Sequence, residues 1–291
     1  MERIMDTIKL GRLDVSRFIL GGNPFSGFSH LTREMDDELR HYYTSERIKA
    51  TYREAEGLGI TAHIGRADHH ITRLLTEYWD EGGRIQWIAQ TCPEVGSARR
   101  SALTGIRSGA KAVFIHGGQM DHYLARGRLD EVSPVIHMIH DAGLPAGVAG
   151  HRPEVFEWAE QHLDCDFYMC SYYNPIPRDE SPENFNPREE RYDDADRERM
   201  TAAIQQLSKP VIHYKILAAG RHEPLAAFQY AASKMRPTDA VCVGICTKHR
   251  PNELGQDVHL LEKCLCEAAG GAGSDALTQS PSLCLFLSSS D

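Results

Sequence analysis

Short apolar runs alternate along this chain with longer segments in which apolar positions recur every three or four residues. The short runs, at 18–22, 60–65, 85–91, 112–116, 146–149, 167–172, 210–217 and 240–245, have the length and the Val, Ile, Phe and Tyr content of buried strands. The periodic segments between and after them, at 45–58, 69–81, 95–108, 129–142, 153–162, 195–207, 224–234 and 251–268, read as helices. Strand followed by helix, repeated without a second strand in between, makes each unit a parallel crossover. Eight such units within about 260 residues predict a single (β/α)8 barrel over residues 1–269. Gly57, Gly59, Gly82, Gly83, Gly109 and Gly143 stand where a helix hands over to the next strand, as left-handed helix ends require. In a barrel these positions mark the stability face, and the ends of the strands mark the chemical face.

Two segments depart from the repeat. Residues 177–199 are dense in Asp, Glu, Arg and Pro and leave the chemical face, so they are expected to form a surface excursion or a lid. Residues 270–291 are rich in Gly, Ser and Ala and are expected to be a flexible tail.

Composition narrows the function. The 291 residues carry 41 acidic against 32 basic side chains, a net charge of −9. That balance argues against a nucleic-acid or anionic-membrane surface. No apolar run reaches the ~18 residues of a membrane span, and 1–10 has no apolar leader core, so a cytoplasmic protein acting on a small molecule is expected. The eight cysteines lack paired metal-site spacing and several sit in strand-like runs, where a reduced, buried thiol is expected. Nothing in the sequence fixes the oligomeric state. The 15 histidines are unusual. His63, His116, His151 and His213 fall at or just after predicted strands, whose ends converge on one axis. With or without Asp68, they would suit zinc, iron or manganese. His213 and Lys215 lie two apart and are expected to share a face, putting two basic groups into one pocket if that face is inward. Asn23, Arg66, His69, Tyr173, Tyr214, Arg221 and Lys248 also stand at strand ends, as candidate substrate ligands.

Several of these stretches resemble the aldo/keto reductase family. The segment 10–22 is similar to that family's opening hairpin and first strand. Ile115-His116, Tyr173-Asn174-Pro175, Tyr214 with Leu217-Ala218-Ala219-Gly220, Gly244-Ile245 and Pro251-Asn252-Glu253 resemble segments of its later strands. The resemblance implies a barrel that binds NAD(P)H, with Tyr214 stacked on the nicotinamide. It also implies a reductive tetrad of which only His116 remains. Ile64 stands at the Asp position, His69 near the Tyr position and Thr91 at the Lys position, while Ala149, Gly150 and Cys170 replace the contacts to the cofactor amide. A buried amide without partners costs about 1–3 kcal/mol per group, which disfavours NAD(P)H. The expectation is therefore a non-reductive, metal-assisted lyase, isomerase or hydrolase. It would act on a small polar oxygenated compound such as a sugar derivative, with His116, Lys215 and Asp68 moving protons. The alternatives are a divergent NAD(P)H-dependent reductase, with His69 or His116 as proton donor, and an inactive barrel serving as a binding or regulatory subunit.

Overall fold

The computed structural model describes residues 5–176, 178–179, 181–182 and 190–271. The expected tail beyond Gly271, and residues 177, 180 and 183–189 of the excursion, lie outside the described residues. Eight parallel strands close into a barrel: β3 (Phe18–Gly21), β4 (Ala62–Arg66), β5 (Gln86–Gln90), β6 (Ala112–Ile115), β7 (Ala146–Gly150), β8 (Phe167–Ser171), β9 (Val211–Tyr214) and β10 (Ala240–Gly244). Each pairs with the next, and β10 pairs with β3. The predicted (β/α)8 barrel is thus the observed fold.

The strand alternation assigns side chains to two cores. Ile19, Ala62, Ile64, Ile88, Ala112, Phe114, Phe167, Met169, Ile212, Ala240 and Cys242 fill the barrel interior. The intervening residues, such as Leu20, Trp87, Val113, Tyr168 and Val241, pack against the helices. A hairpin precedes the barrel, β1 (Thr7–Leu10) paired antiparallel with β2 (Leu13–Ser16). Its Ile8, Leu10 and Val15 join the interior cluster, so the hairpin stops the end of the barrel at which the strands begin.

The helices are α1 (Arg33–Tyr42), α2 (Ser45–Gly57), α3 (His69–Asp80), α4 (Ala98–Arg107), α5 (Gly117–Arg126), α6 (Ser133–Asp141), α7 (Pro153–His162), α8 (Asp194–Ile204), α9 (Pro224–Lys234) and α10 (Glu253–Gly271). Two of them, α1 and α5, were not apparent in the apolar periodicity. The first turn of α5 opens on Gly117-Gly118, a poor helix start by propensity. The His116 side chain compensates by accepting a hydrogen bond from Gly118 N–H at 3.1 Å. The expected turn after the second helix is confirmed at Gly59, which is left-handed with φ +82°. The cysteines among the described residues are free. Among the described residues no helix is long and apolar enough to cross a membrane.

Candidate active site

A cavity of about 470 Å³ opens where the barrel strands end. Its wall takes Ile64 and Arg66 from β4, Gln90 from β5, Phe114 from β6, Met169 from β8 and Tyr214 from β9. His116, His151 and Lys215 enter from the residue just beyond β6, β7 and β9.

At the centre of the wall is a relay of three side chains. Asp121, on the first turns of α5, is 3% exposed. It accepts from His151 Nδ1 at 2.6 Å and from the His151 backbone N–H at 3.2 Å. That leaves His151 Nε2 as an acceptor, 3.2 Å from the Tyr214 hydroxyl, whose other acceptor is Gly150 O at 3.4 Å. Tyr214 can face this way because β9 points Ile212 and Tyr214 inward and Val211 and His213 outward. Gly117 supplies the room: a Cβ there would lie 3.0 Å from both the Tyr214 hydroxyl and His151 Cε1. Burial lowers the His151 pKa, although Asp121 opposes the shift, so the ring is a neutral proton acceptor at neutral pH.

His116 faces the same space. Its Nδ1 is occupied by Gly118 N–H, so its proton resides on Nε2. Behind it, Thr91 accepts the His116 N–H at 2.9 Å and donates to Gln119 at 2.8 Å. Burial pushes the His116 pKa well down, and Arg178, His151, Arg66 and Lys215 push it further. The side chains that act most strongly on this ring are therefore basic, which describes a place suited to an anion.

The opposite wall is built around Lys215. The chain leaves β9 in a left-handed turn, with φ +58° at Lys215, and this swings the side chain into the cavity. Lys215 Nζ donates to His30 Nε2 at 3.4 Å, as does Asn23 Nδ2 at 3.1 Å. With two donors aimed at Nε2, His30 carries its proton on Nδ1 and donates it to Glu190 at 2.9 Å. The Tyr192 hydroxyl donates to the other Glu190 oxygen at 2.6 Å. Burial opposes ionisation of Glu190, but the bonds from His30 and Tyr192 and the charge of Lys215 hold it at about 2. Burial lowers Lys215 to about 8. Among the described residues, the left-handed residues other than glycine are His30, Lys215, Ala218 and Ala219. Three of them line the cavity and the fourth adjoins it. Such conformations cost about 1–3 kcal/mol each and persist where function holds them.

Several expectations are corrected by this geometry. His63, His116, His151 and His213 do not converge. His63 points outward from β4, donates Nδ1–H to Leu20 O at 3.1 Å and packs on Tyr52, and burial lowers its pKa to about 3. His213 also points outward, between the Tyr172 hydroxyl at 3.0 Å and Asp239 at 3.2 Å. His213 and Lys215 therefore do not share a face, because the left-handed turn intervenes. Among the described residues no three His, Cys, Asp or Glu side chains are grouped to hold a metal, so the residues do not fit the expected zinc, iron or manganese site. Asp68 is the N-cap of α3: one oxygen accepts Ile71 N–H at 2.9 Å and the other accepts Arg66 Nε at 2.9 Å. It stands outside the cavity lining and is not placed as a base. His69 is exposed on the first turn of α3. Tyr173 sits behind the wall, bonded to His222 at 2.7 Å. Arg221 braces the loop through Ala218 O and His30 O and stacks on Tyr192, and Lys248 pairs with Glu38 at 2.8 Å away from the cavity. Of the candidate ligands, Asn23, Arg66 and Tyr214 do line it. Arg66 is also engaged by Asp68 and Glu94.

His30, Asp121, Arg178 and Glu190 were not singled out from the sequence. Arg178 and Glu190 come from the charged excursion, whose density of charge was its visible sign. Asp121 lay in the unrecognised helix.

The positions that the resemblance to reductases assigns to the tetrad and the cofactor amide offer few free polar groups to the cavity. Ile64 presents an apolar side chain to the interior, and the Thr91 hydroxyl is taken up by Gln119 and His116. Ala149 offers only a methyl group, and Cys170 faces the helices.

No family model matches the chain, and no curated protein does. Solved structures do. A protein of Pseudomonas aeruginosa assigned by inference to the aldo-keto reductases aligns over 91% of this chain and 99% of its own, with TM-score 0.59 and 20% identity. The N-acetylmannosamine-6-phosphate 2-epimerase of Clostridium perfringens aligns over 83% of this chain and 92% of its own, with TM-score 0.51 and 12% identity. At these identities the likeness concerns the fold.

Proposed function

We propose that this chain is an enzyme that moves protons, without reduction, on a small anionic carbonyl or hydroxy compound, as a lyase or isomerase does. The observation that carries this reading is the Tyr214–His151–Asp121 relay, opening into a cavity whose lining includes the basic side chains Arg66, Arg178 and Lys215. Asp121 fixes the tautomer of His151, so that its unprotonated Nε2 is the nitrogen facing the Tyr214 hydroxyl. A proton leaving the substrate is taken by the Tyr214 oxygen as its own proton passes to His151, and the reverse sequence returns it. His116 Nε2–H donates to the oxygen that gains charge, and the nearby basic groups favour that charge further. The metal-assisted form of the expectation is not carried into this reading, because among the described residues the four histidines do not form a donor set.

The test is solvent exchange. Purified protein is incubated in deuterium oxide with 2-oxo and hydroxy carboxylates and with sugar phosphates, and loss of the proton next to the carbonyl is followed by proton NMR. Exchange with at least one probe, reduced about 10²–10⁴-fold in Tyr214→Phe, is the expected result. Consumption of NADPH with these probes, or exchange unaffected by Tyr214→Phe, would overturn the reading.

A further inference from the structure

We propose that Lys215 is a covalent nucleophile, which forms a Schiff base with an aldehyde or ketone that also bears a carboxylate or phosphate. This rests on the proton-transfer reading above and deepens it, by naming the carbonyl as the group held and the lysine as the residue that holds it.

Three observations lead to it. The first is placement. Strand alternation would have sent residue 215 outward, like His213, and a left-handed turn at φ +58° reverses it into the cavity. His30, the residue it meets, is itself left-handed at φ +59°. Backbone strain on both sides of one contact brings the amine to this point rather than leaving it in solvent.

The second is partnership. Among the described residues no carboxylate lies within 4 Å of Lys215, and its hydrogen-bond partner is the neutral Nε2 of His30. The buried Lys49 differs: it reaches Glu46, Glu77 and Glu81, and among the surface lysines Lys9 pairs with Asp14 and Lys248 with Glu38. A lysine kept for structure is held by carboxylates, which keep it charged. Glu190 makes no ion pair with Lys215: its charge opposes the lowering of the lysine pKa, but His30 stands between them as the hydrogen-bond partner of both, and burial with Arg178 and Arg221 prevails. With its pKa brought down to about 8, roughly a tenth of the amine is unprotonated at neutral pH. Amines whose pKa is lowered in this way inside a cavity act as nucleophiles.

The third is company. Schiff-base formation needs a proton donor for the departing oxygen, and then a base for the bond made acidic. The Nζ lone pair adds to the carbonyl carbon, and a proton passes from nitrogen to the former carbonyl oxygen. That oxygen takes a second proton from the Tyr214 hydroxyl and leaves as water as C=N forms. The resulting iminium draws electrons from the adjacent carbon. The Tyr214–His151 pair then removes a proton from that carbon, or from a hydroxyl one carbon further on, in which case a C–C bond breaks. Hydrolysis restores the amine and the carbonyl, and no oxidant or reductant is consumed.

The experiment is reductive trapping. The protein is incubated with pyruvate, and separately with dihydroxyacetone phosphate, in the presence of sodium cyanoborohydride, followed by intact mass and peptide mapping. The expected result is a single adduct, equal to the mass of the probe less one oxygen, mapped to Lys215. Its rate should rise with pH to a midpoint about 8, and Lys215→Arg, folded as judged by its thermal transition, should lose it. If that variant does not fold, the mapping on the wild-type protein decides alone. Adducts confined to exposed lysines such as Lys9, or none at all, overturn the covalent role. Solvent exchange without an adduct at Lys215 overturns this inference and leaves the proton-transfer reading standing. Absence of both overturns both.

Discussion

Single residues in this protein act through what their neighbours leave them. Asp121 gives His151 its direction, and Asp121→Asn removes the charge while keeping the shape. That change should lower the exchange rate at least about 100-fold, by analogy with other general acid–base groups, with a smaller loss in thermal stability. Equal rates in the two proteins would show that the relay is not used. Asp257, on α10, is fully buried and neither carboxylate oxygen has a hydrogen-bond partner among the described residues. Burial, with Glu253 one turn before it, raises its pKa from 3.8 to about 7. The folded chain thus keeps this proton over a range where the unfolded chain has lost it. Stability should be full below about pH 4, fall by up to about 1.4 kcal/mol per pH unit as pH rises towards 7, and level off above. Asp257→Asn should flatten that slope, raising the urea midpoint at pH 8 relative to pH 5. A parallel slope in both proteins would assign it elsewhere. Such residues are hard to find in a sequence. His116 and Lys215 were visible because they stand at strand ends, whereas Asp121 and Glu190 matter only through a ring that points at them.

Elements decide which of those rings meet. Position alone placed four histidines near the ends of strands, but it did not say which way each side chain turns. His63 and His213 sit on the outward phase of β4 and β9, and the alternation of a buried strand is invisible when both of its faces are apolar. The turn at Lys215 breaks the phase altogether, with no glycine to announce it. The start of α5 was hidden for the opposite reason: Gly117-Gly118 resembles a loop, yet the first glycine is needed because the relay passes beside it. Gly117→Ala would place a methyl group 3.0 Å from the Tyr214 hydroxyl, while helix propensity would favour alanine by up to about 1 kcal/mol. The variant should therefore melt close to the wild type and lose most of its activity. A drop in melting temperature with activity retained would contradict this account of the helix start.

The whole molecule was the most legible level. Eight strand–helix units spell a barrel without any single decisive residue, because the pattern is repeated and local errors at each boundary do not change it. The opening hairpin, seen in the sequence only as part of a family likeness, belongs to that whole. Leu10 is fully buried in the barrel interior, so Leu10→Ala should cost about 2–5 kcal/mol of global stability, measurable by urea unfolding. A negligible cost would mean that the hairpin is an appendage. The hairpin also governs traffic. With the lower end of the barrel stopped by Ile8, Leu10 and Val15, the cavity opens, among the described residues, at the end where the strands finish, and whatever is made inside leaves by the end at which its precursor came. A reaction that cleaves one molecule into two must then discharge its fragments in turn, and a fragment that lingers blocks the next arrival.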